Sequence, residues 1–355
     1  MNRSQNNKIR RISVSILAAM AAVCLFGCGD KTGNKNLEAG MELVEQYDFQ
    51  GALECFDLAR LNNEDLQLAS RGEGIAYMGL GDYAKAESAF LESIQNAGNK
   101  LTELEYDTNY YLASAYLKQG KYEETKTIYS AIIALKNKEI DAYYLRACTF
   151  LKQNNYEDAL ADFEKAFSLD SDNLTLVTDA YVEMEAAGFG EEGKTYLSTF
   201  LEKNDKSLSD SEKGTIYYYL EDYQNARIYL DGAVNGNDAG KSLLLGHTYE
   251  KLGDMNYATS VYQTYLDSNM PDAAIYNSLG MCFMKQEKYE EALSAFQAGI
   301  DIGETPYIQE LKYNTIVANE YLGNFSEAKK RMEEYLETYP DDAKASREYE
   351  FLQTR

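Results

Sequence analysis

Small and bulky apolar residues recur along the chain with a period of about 34 residues. Each repeat carries a small residue that mostly lies three places after an aromatic residue and four places before a bulky one. These small residues are Ala52, Ala86, Thr125, Ala159, Gly193, Ala226, Ala258, Ala292 and Ala328. Spacings of three and four put side chains on one face of an α-helix. The pattern therefore predicts a series of amphipathic helices built from one repeating unit.

A second recurring position lies twelve residues before each of these small residues, and it predicts that each unit contains two helices. Its residues, mostly small, are Gly40, Gly74, Ala113, Ala147, Tyr181, Gly214, Gly246, Gly280 and Ile316. A small residue on each helix lets the two backbones approach closely while aromatic side chains fill the flanking holes. A tight turn such as Gly81–Asp82 joins the two helices. All three prolines fall at unit ends, where a helix must stop: Pro271, Pro306 and Pro340.

With these spacings the units resemble tetratricopeptide repeats. The clearest examples are residues 143–166 and 279–296. The resemblance implies an all-α protein, a right-handed α-solenoid of about nine helix-turn-helix units over residues 36–340. One further amphipathic stretch, residues 343–352, predicts a capping helix within the terminal segment 341–355.

Parts of the array depart from the repeat pattern. The fifth unit, residues 174–206, is degenerate, and the ninth unit has Asn319 and Ile316 where the family has Tyr and Gly. These two units are expected to pack irregularly. The longest spacing between successive small residues, from Ala86 to Thr125, predicts a longer loop around residues 95–101.

The start of the chain has the pattern of an export signal. Four basic residues and no acidic one precede the apolar run 12–26, which is short for a bilayer span of roughly 20 residues. The run ends in LFGC, which closes on Cys28 and resembles the bacterial lipoprotein signal. The resemblance implies a signal peptide over residues 1–27, lipidation of Cys28, and a polar tether over residues 28–35. An ordinary signal peptide cut nearby, or an uncleaved anchor, is the alternative.

The lipoprotein resemblance also implies a location. The protein is expected to be extracytoplasmic and lipid-anchored to a bacterial membrane, since the diacylglyceryl group of such proteins supplies the two acyl chains that stable anchoring needs. Three cysteines remain beyond the signal, an odd number lying far apart, so they predict buried small hydrophobic residues rather than a disulfide framework: Cys55, Cys148 and Cys282.

Charge and composition exclude several classes of function. The chain has 355 residues, with 58 acidic against 34 basic side chains and a formal net charge of −24. This balance argues against a nucleic-acid partner, because nucleic-acid binding depends on Lys and Arg that neutralise phosphates. A single histidine, His247, excludes a histidine-rich zinc site. We therefore expect no catalytic residue, no metal and no cofactor.

One stretch matches a nucleotide-binding motif by letter. Residues 188–195 fit the pattern G-x-x-x-x-G-K-[ST], but a working phosphate-binding loop follows a buried strand. Here the preceding residues 181–187 predict helix, and Glu191 and Glu192 would set negative charge against the phosphates. The stretch is predicted to be a repeat turn. An envelope nucleotide-binding enzyme that uses Gly188 to Thr195 is the remote alternative.

The tetratricopeptide resemblance implies a concave groove that is lined by the first helix of each unit and receives a partner peptide or helix. The groove positions carried over are Tyr110, Tyr144, Tyr218, Tyr219, His247, Asn277, Tyr313 and Tyr321. Tyrosine suits such a surface because it combines a large contact area with a polar tip. The alternative is that these tyrosines only complete the packing between units.

The leading hypothesis is a non-enzymatic protein–protein interaction scaffold, a membrane-anchored lipoprotein that binds a protein or peptide partner in this groove. The acidic chain favours a basic partner. No small-molecule substrate is evident. The alternative is a structural assembly subunit of a cell-envelope complex.

Overall fold

The computed structural model describes residues 34–98, 102–234, 236–268, 271–303 and 305–355. Across these residues it contains nineteen α-helices and no β-strand. The predicted signal peptide, residues 1–27, and the lipidation site Cys28 lie outside the described residues. None of the described helices is long and apolar enough to cross a membrane.

The first eighteen helices follow the order of nine two-helix repeats, as the repeat pattern predicts. The first helices of the pairs are α1 (Lys35–Glu45), α3 (Leu66–Leu80), α5 (Glu103–Lys118), α7 (Ile140–Lys152), α9 (Leu174–Ala186), α11 (Asp210–Tyr219), α13 (Ala239–Lys251), α15 (Ala273–Lys285) and α17 (Ile308–Tyr321). The second helices are α2 (Phe49–Leu61), α4 (Tyr83–Asn96), α6 (Tyr122–Leu135), α8 (Tyr156–Leu169), α10 (Gly190–Asn204), α12 (Tyr223–Ala233), α14 (Met255–Ser268), α16 (Tyr289–Ile300) and α18 (Phe325–Thr338). The last helix, α19 (Ala343–Leu352), occupies the stretch predicted to cap the array.

The chain divides into two compact units, which we call unit one, ending at Gly193, and unit two, beginning at Lys194. Each has a core of the same design. The bulky residue four places after each small position is fully or almost fully buried: Phe56, Phe90, Tyr129 and Phe163 in unit one, and Leu230, Tyr262, Phe296 and Met332 in unit two. A Cβ placed on Gly40 or Gly72 would overlap the Phe56 ring, so close packing requires glycine there.

The turn inside the second pair shows how the local sequence ends one helix and starts the next. Gly81 is left-handed, with φ 77°, and its N–H donates to the carbonyl of Met78 at 3.2 Å. The Asp82 N–H donates to the Tyr77 carbonyl at 3.0 Å, which completes a Schellman motif. The Asp82 side chain then accepts from the N–H of Lys85 and caps α4.

The two irregular repeats are both helical along the stretches that the pattern predicts. In the fifth, Gly193 occupies the small position and packs against Tyr181. In the ninth, Ile316 is 1% exposed, and the buried Asn319 side chain donates to the Thr315 carbonyl at 2.9 Å. The polar side chain is accommodated because its hydrogen bond is satisfied within the helix.

Candidate ligand-binding groove

First helices of successive pairs lie against one another within each unit. In unit one α1 contacts α3, α3 contacts α5 and α7 contacts α9; in unit two α11, α13, α15 and α17 contact in succession. Consecutive second helices make no comparably extensive contact among the described residues of either unit. The first helices therefore line the inner side of each stack, and we call the surface they form the inner face.

The two tyrosines predicted for the groove in unit one belong to both the core and the inner face. The Tyr110 ring packs against Tyr129 with 5.9 Å between ring centroids, and the Tyr144 ring packs against Phe163 at 5.8 Å. Tyr144 is only 8% exposed. Each ring thus closes its own helix pair, which leaves the hydroxyl as the part available to a ligand.

Both hydroxyls are buried, and neither makes a hydrogen bond of ordinary geometry with a described residue. Each has only a poorly aligned neighbour: the Glu139 carboxylate beside Tyr110 and the Cys148 thiol beside Tyr144. Burial raises the pKa of both phenols, and carboxylates raise it further: Glu139 and Asp141 beside Tyr110, and Glu183 and Asp179 beside Tyr144. The Cys148 thiol, a weak partner, also lies beside Tyr144. A buried hydroxyl that lacks a well-aligned hydrogen bond costs free energy, so these two positions need an explanation.

Two carboxylates near these hydroxyls form no ion pair with a described residue. Asp141 is open to solvent on α7, yet desolvation by the surrounding protein raises its pKa. Asp179, half-buried on α9, has its pKa raised to about 6 by burial and, to a smaller extent, by the Glu183 carboxylate. Glu183 itself has Lys152 at 3.8 Å.

Asp141 and Asp179 are not among the groove residues predicted from the sequence. The signal was present in the lattice, because Asp141 lies three residues before Tyr144 and shares its helix face. Asp107 holds the same place in the preceding unit, where it pairs with Arg71. The difference between a paired and an unpaired carboxylate becomes visible only when neighbouring units are stacked.

The groove positions of the middle of unit two are engaged in contacts across successive pairs. Nε2 of His247 lies 3.2 Å from Oγ of Ser278. Asn277 is 7% exposed and its side-chain oxygen accepts from Nδ2 of Asn314 at 2.8 Å. These contacts form a polar row along the inner face from α13 to α17.

The remaining predicted tyrosines of unit two pack against other rings. Tyr218 makes edge contacts with Tyr219 and Tyr223. Tyr321 is 62% exposed but stacks on Tyr289 of the preceding pair at 5.0 Å.

Tyr313 lies at the end of the array. Its ring makes an edge contact with Tyr335, and the Lys344 ammonium of the capping helix α19 lies 4.3 Å from its centroid. One face of this tyrosine is therefore occupied by the protein itself.

The stretch that matches a nucleotide-binding motif lies in a helical context. Helix α9 precedes it, and Gly188, with φ 91°, lies in the turn that leads into α10. The Lys194 ammonium lies 3.4 Å from a Glu221 carboxylate oxygen. The strand that positions a phosphate-binding loop is replaced by a helix. Across the described part of the chain, no three His, Cys, Asp or Glu side chains come together as a metal site.

Comparison with known proteins agrees with this architecture. Sequence models of the tetratricopeptide repeat match residues 37–100, 71–124, 140–173 and 243–305, which together make up just over half of the chain. These are helical interaction modules, and proteins built from them generally mediate protein–protein interactions. The chain belongs to the tetratricopeptide repeat family. No curated protein sequence matches it significantly.

Solved structures with similar folds include yeast Tom70, at 18% identity with a TM-score of 0.54, which covers 83% of this chain and 66% of Tom70. A tetratricopeptide repeat protein from Parabacteroides merdae matches with 16% identity and a TM-score of 0.44 over 81% of this chain and all of the other. YrrB, described as a tetratricopeptide repeat protein with an unusual peptide-binding site, matches at 22% identity and a TM-score of 0.35 over 62% of this chain and 97% of YrrB. At these identities the likeness to Tom70 shows the fold alone.

Proposed function

We propose that the protein is a membrane-anchored interaction scaffold that binds a protein or peptide partner along its inner face. The observation that carries this proposal is the inner face of unit one, where buried tyrosine hydroxyls and ion-pair-free carboxylates converge on successive first helices. The buried hydroxyls are costly in the free protein, and a ligand that hydrogen-bonds to them would remove that cost.

The anchor in this proposal is a lipid on Cys28. A cationic start, a short apolar run and a cysteine directly after it are the support from the sequence. Metabolic labelling with an alkyne fatty acid should label the wild-type chain and not the Cys28→Ser variant, which should also leave the membrane fraction. Equal labelling of both proteins would contradict lipidation at Cys28 and would leave the proposed binding groove unaffected.

The interaction itself is tested by crosslinking the anchored protein in its host and identifying adducts by mass spectrometry. We expect one or a few proteins to be recovered reproducibly, with crosslinked sites on first helices. An adduct pattern that does not differ from that of an unrelated acidic lipoprotein would contradict the proposal.

A further inference from the structure

An ion pair joins two successive repeats on the inner face of unit one, and the next two repeats lack it. Arg71 on α3 reaches across to Asp107 on α5 and forms an ion pair. One repeat later, Tyr110 stands at the repeat position of Arg71, and Asp141 stands at that of Asp107. The acidic residue is retained as Asp141, but the basic residue is replaced by Tyr110. The Asp141 carboxylate therefore forms no ion pair with a described residue.

The base is replaced by tyrosine again between α7 and α9, where Thr175 stands at the repeat position of Asp141 and the acids lie further along α9. Tyr144 holds the lattice place of Arg71, and the carboxylates near its hydroxyl are Asp179 and Glu183. The Lys152 ammonium lies 3.8 Å from a Glu183 carboxylate oxygen, whereas Asp179 forms no ion pair with a described residue. Tyr144 is more than nine-tenths buried, and its hydroxyl reaches this acidic surface without a conventional hydrogen bond.

These groups specify the charge of a ligand. Two carboxylates accept hydrogen bonds and carry negative charge, and a phenol oxygen can accept as well. An ammonium or guanidinium group is a donor only, with three or five N–H bonds, and it supplies the positive charge that Arg71 supplies one unit earlier. An anionic segment would add repulsion to carboxylates that are already partly desolvated.

We propose that the inner face of α5, α7 and α9 binds lysine or arginine side chains of an extended peptide segment. This inference rests on the function proposed above and adds the chemistry of the partner. The two carboxylates lie on successive first helices, which pack about 8–10 Å apart, so one extended peptide can reach both. An extended chain covers that distance in about three residues.

The test is a fluorescence-anisotropy titration of the detergent-purified full chain with three labelled nonapeptides at physiological salt. They carry Lys, Gln or Glu at alternate positions and are otherwise identical. We expect the Lys nonapeptide to bind at least tenfold more tightly than the Gln nonapeptide, and the Glu nonapeptide to bind weakest. Equal binding of the Lys and Gln nonapeptides would overturn the inference.

A matched pair of double variants separates a specific site from general charge attraction. Asp141→Asn with Asp179→Asn removes two charges from the inner face; Glu124→Gln with Glu157→Gln removes two from exposed positions on second helices. We expect the first pair to weaken Lys-nonapeptide binding about tenfold or more and the second to change it less than twofold. An equal loss in both pairs would show long-range attraction only and overturn the inference.

Two further results keep the outcomes distinct. Spermidine should compete only at concentrations far above the peptide; full competition at equal concentration would assign the site to a free polyamine and overturn the peptide proposal. If the Lys nonapeptide fails while partners captured in the host still crosslink to first helices, the inference about basic side chains is wrong and the scaffold function stands. If neither binds, both are wrong.

Discussion

The ring of Tyr144 packs against the ring of Phe163 with 5.8 Å between centroids, while its hydroxyl finds no hydrogen bond of ordinary geometry. The apolar part of this side chain completes the core of the fourth helix pair. Its hydroxyl instead costs stability, because it has lost its water without gaining a hydrogen bond of ordinary geometry. The two parts of one side chain therefore serve different purposes, and they can be separated by mutation.

Tyr144→Phe keeps the ring and removes the hydroxyl. We expect the free energy of unfolding to stay the same or rise by up to about 1 kcal/mol, since an unsatisfied group is removed. Binding of the Lys nonapeptide should weaken by about threefold to tenfold. Chemical denaturation and anisotropy check the two effects on the same preparation. A variant that loses stability and keeps full affinity would show that the hydroxyl is structural.

Binding of a basic peptide should depend on pH through Asp179. Its pKa is raised to about 6, so the free groove holds this group protonated below that pH and charged above it. Affinity for the Lys nonapeptide should therefore be full at pH 7.5 and fall as pH decreases through 6.

The groups that face Asp179 and its neighbour Tyr144 from α7 and α9 are Glu183, Cys148 and Lys152. Asp179→Asn should flatten the pH profile between 7.5 and 5 and leave affinity low throughout. A variant with the wild-type slope would assign the titration to another group.

The close approach of paired helices is tested at Gly280. A Cβ at this position would overlap the Phe296 ring, whereas one at Gly232 on α12 would meet no atom within 4 Å. Gly280→Ala should therefore destabilise unit two by about 1–3 kcal/mol. Gly232→Ala should be neutral or stabilise it by up to about 1 kcal/mol, because alanine favours the helix. Urea denaturation of both variants gives the comparison, and an equal effect would contradict the packing described.

The capping helix should respond to pH through Glu320 on α17. Burial, together with the nearby Glu348 carboxylate on α19, raises the pKa of Glu320 to about 7, and the Lys344 ammonium opposes the shift. A carboxyl whose pKa is higher in the folded than in the unfolded state stabilises the fold while protonated. That contribution is lost as pH rises from about 4.5 through 7.

The measurement is the difference in unfolding free energy between wild type and Glu320→Gln at pH 5.5 and pH 8. Glutamine stays neutral at both, so the variant should gain stability relative to wild type at the higher pH. Glu290→Gln, at an exposed position on α16, is the control and should show no such gain. A pH-independent difference for Glu320→Gln would refute the assignment.

Most of the fold could be predicted from the sequence because each element is specified locally. The small positions and the aromatic residues around them place the helices, and Gly81 and Asp82 mark a turn that the structure forms with a left-handed glycine and an aspartate cap. Pro271, Pro306 and Pro340 all lie between helices. The fifth and ninth repeats depart from the family pattern, yet both are helical, and Ile316 and Asn319 of the ninth are buried.

The candidate site could be predicted only in part. Position in the lattice selects Tyr110 and Tyr144 for the first-helix surface, but it does not tell how deeply their rings are buried. Whether Asp141 forms an ion pair depends on the residue that the preceding repeat places beside it, which is Tyr110 and not an arginine like Arg71. That relationship joins residues about 30 positions apart and requires the stacking of units, which the sequence pattern alone does not quantify.

The proposed function requires a partner on the inner face formed by the first helices. Site-specific photocrosslinking in the host tests it most directly, with a benzophenone amino acid at the inner positions Val182 and Val317, which are half-buried on first helices, or at the exposed second-helix positions Glu157 and Ile228. We expect the same partner protein to crosslink at one or both inner positions and at neither outer one. Crosslinks of equal yield at Glu157 and Ile228, or at those two alone, would contradict it.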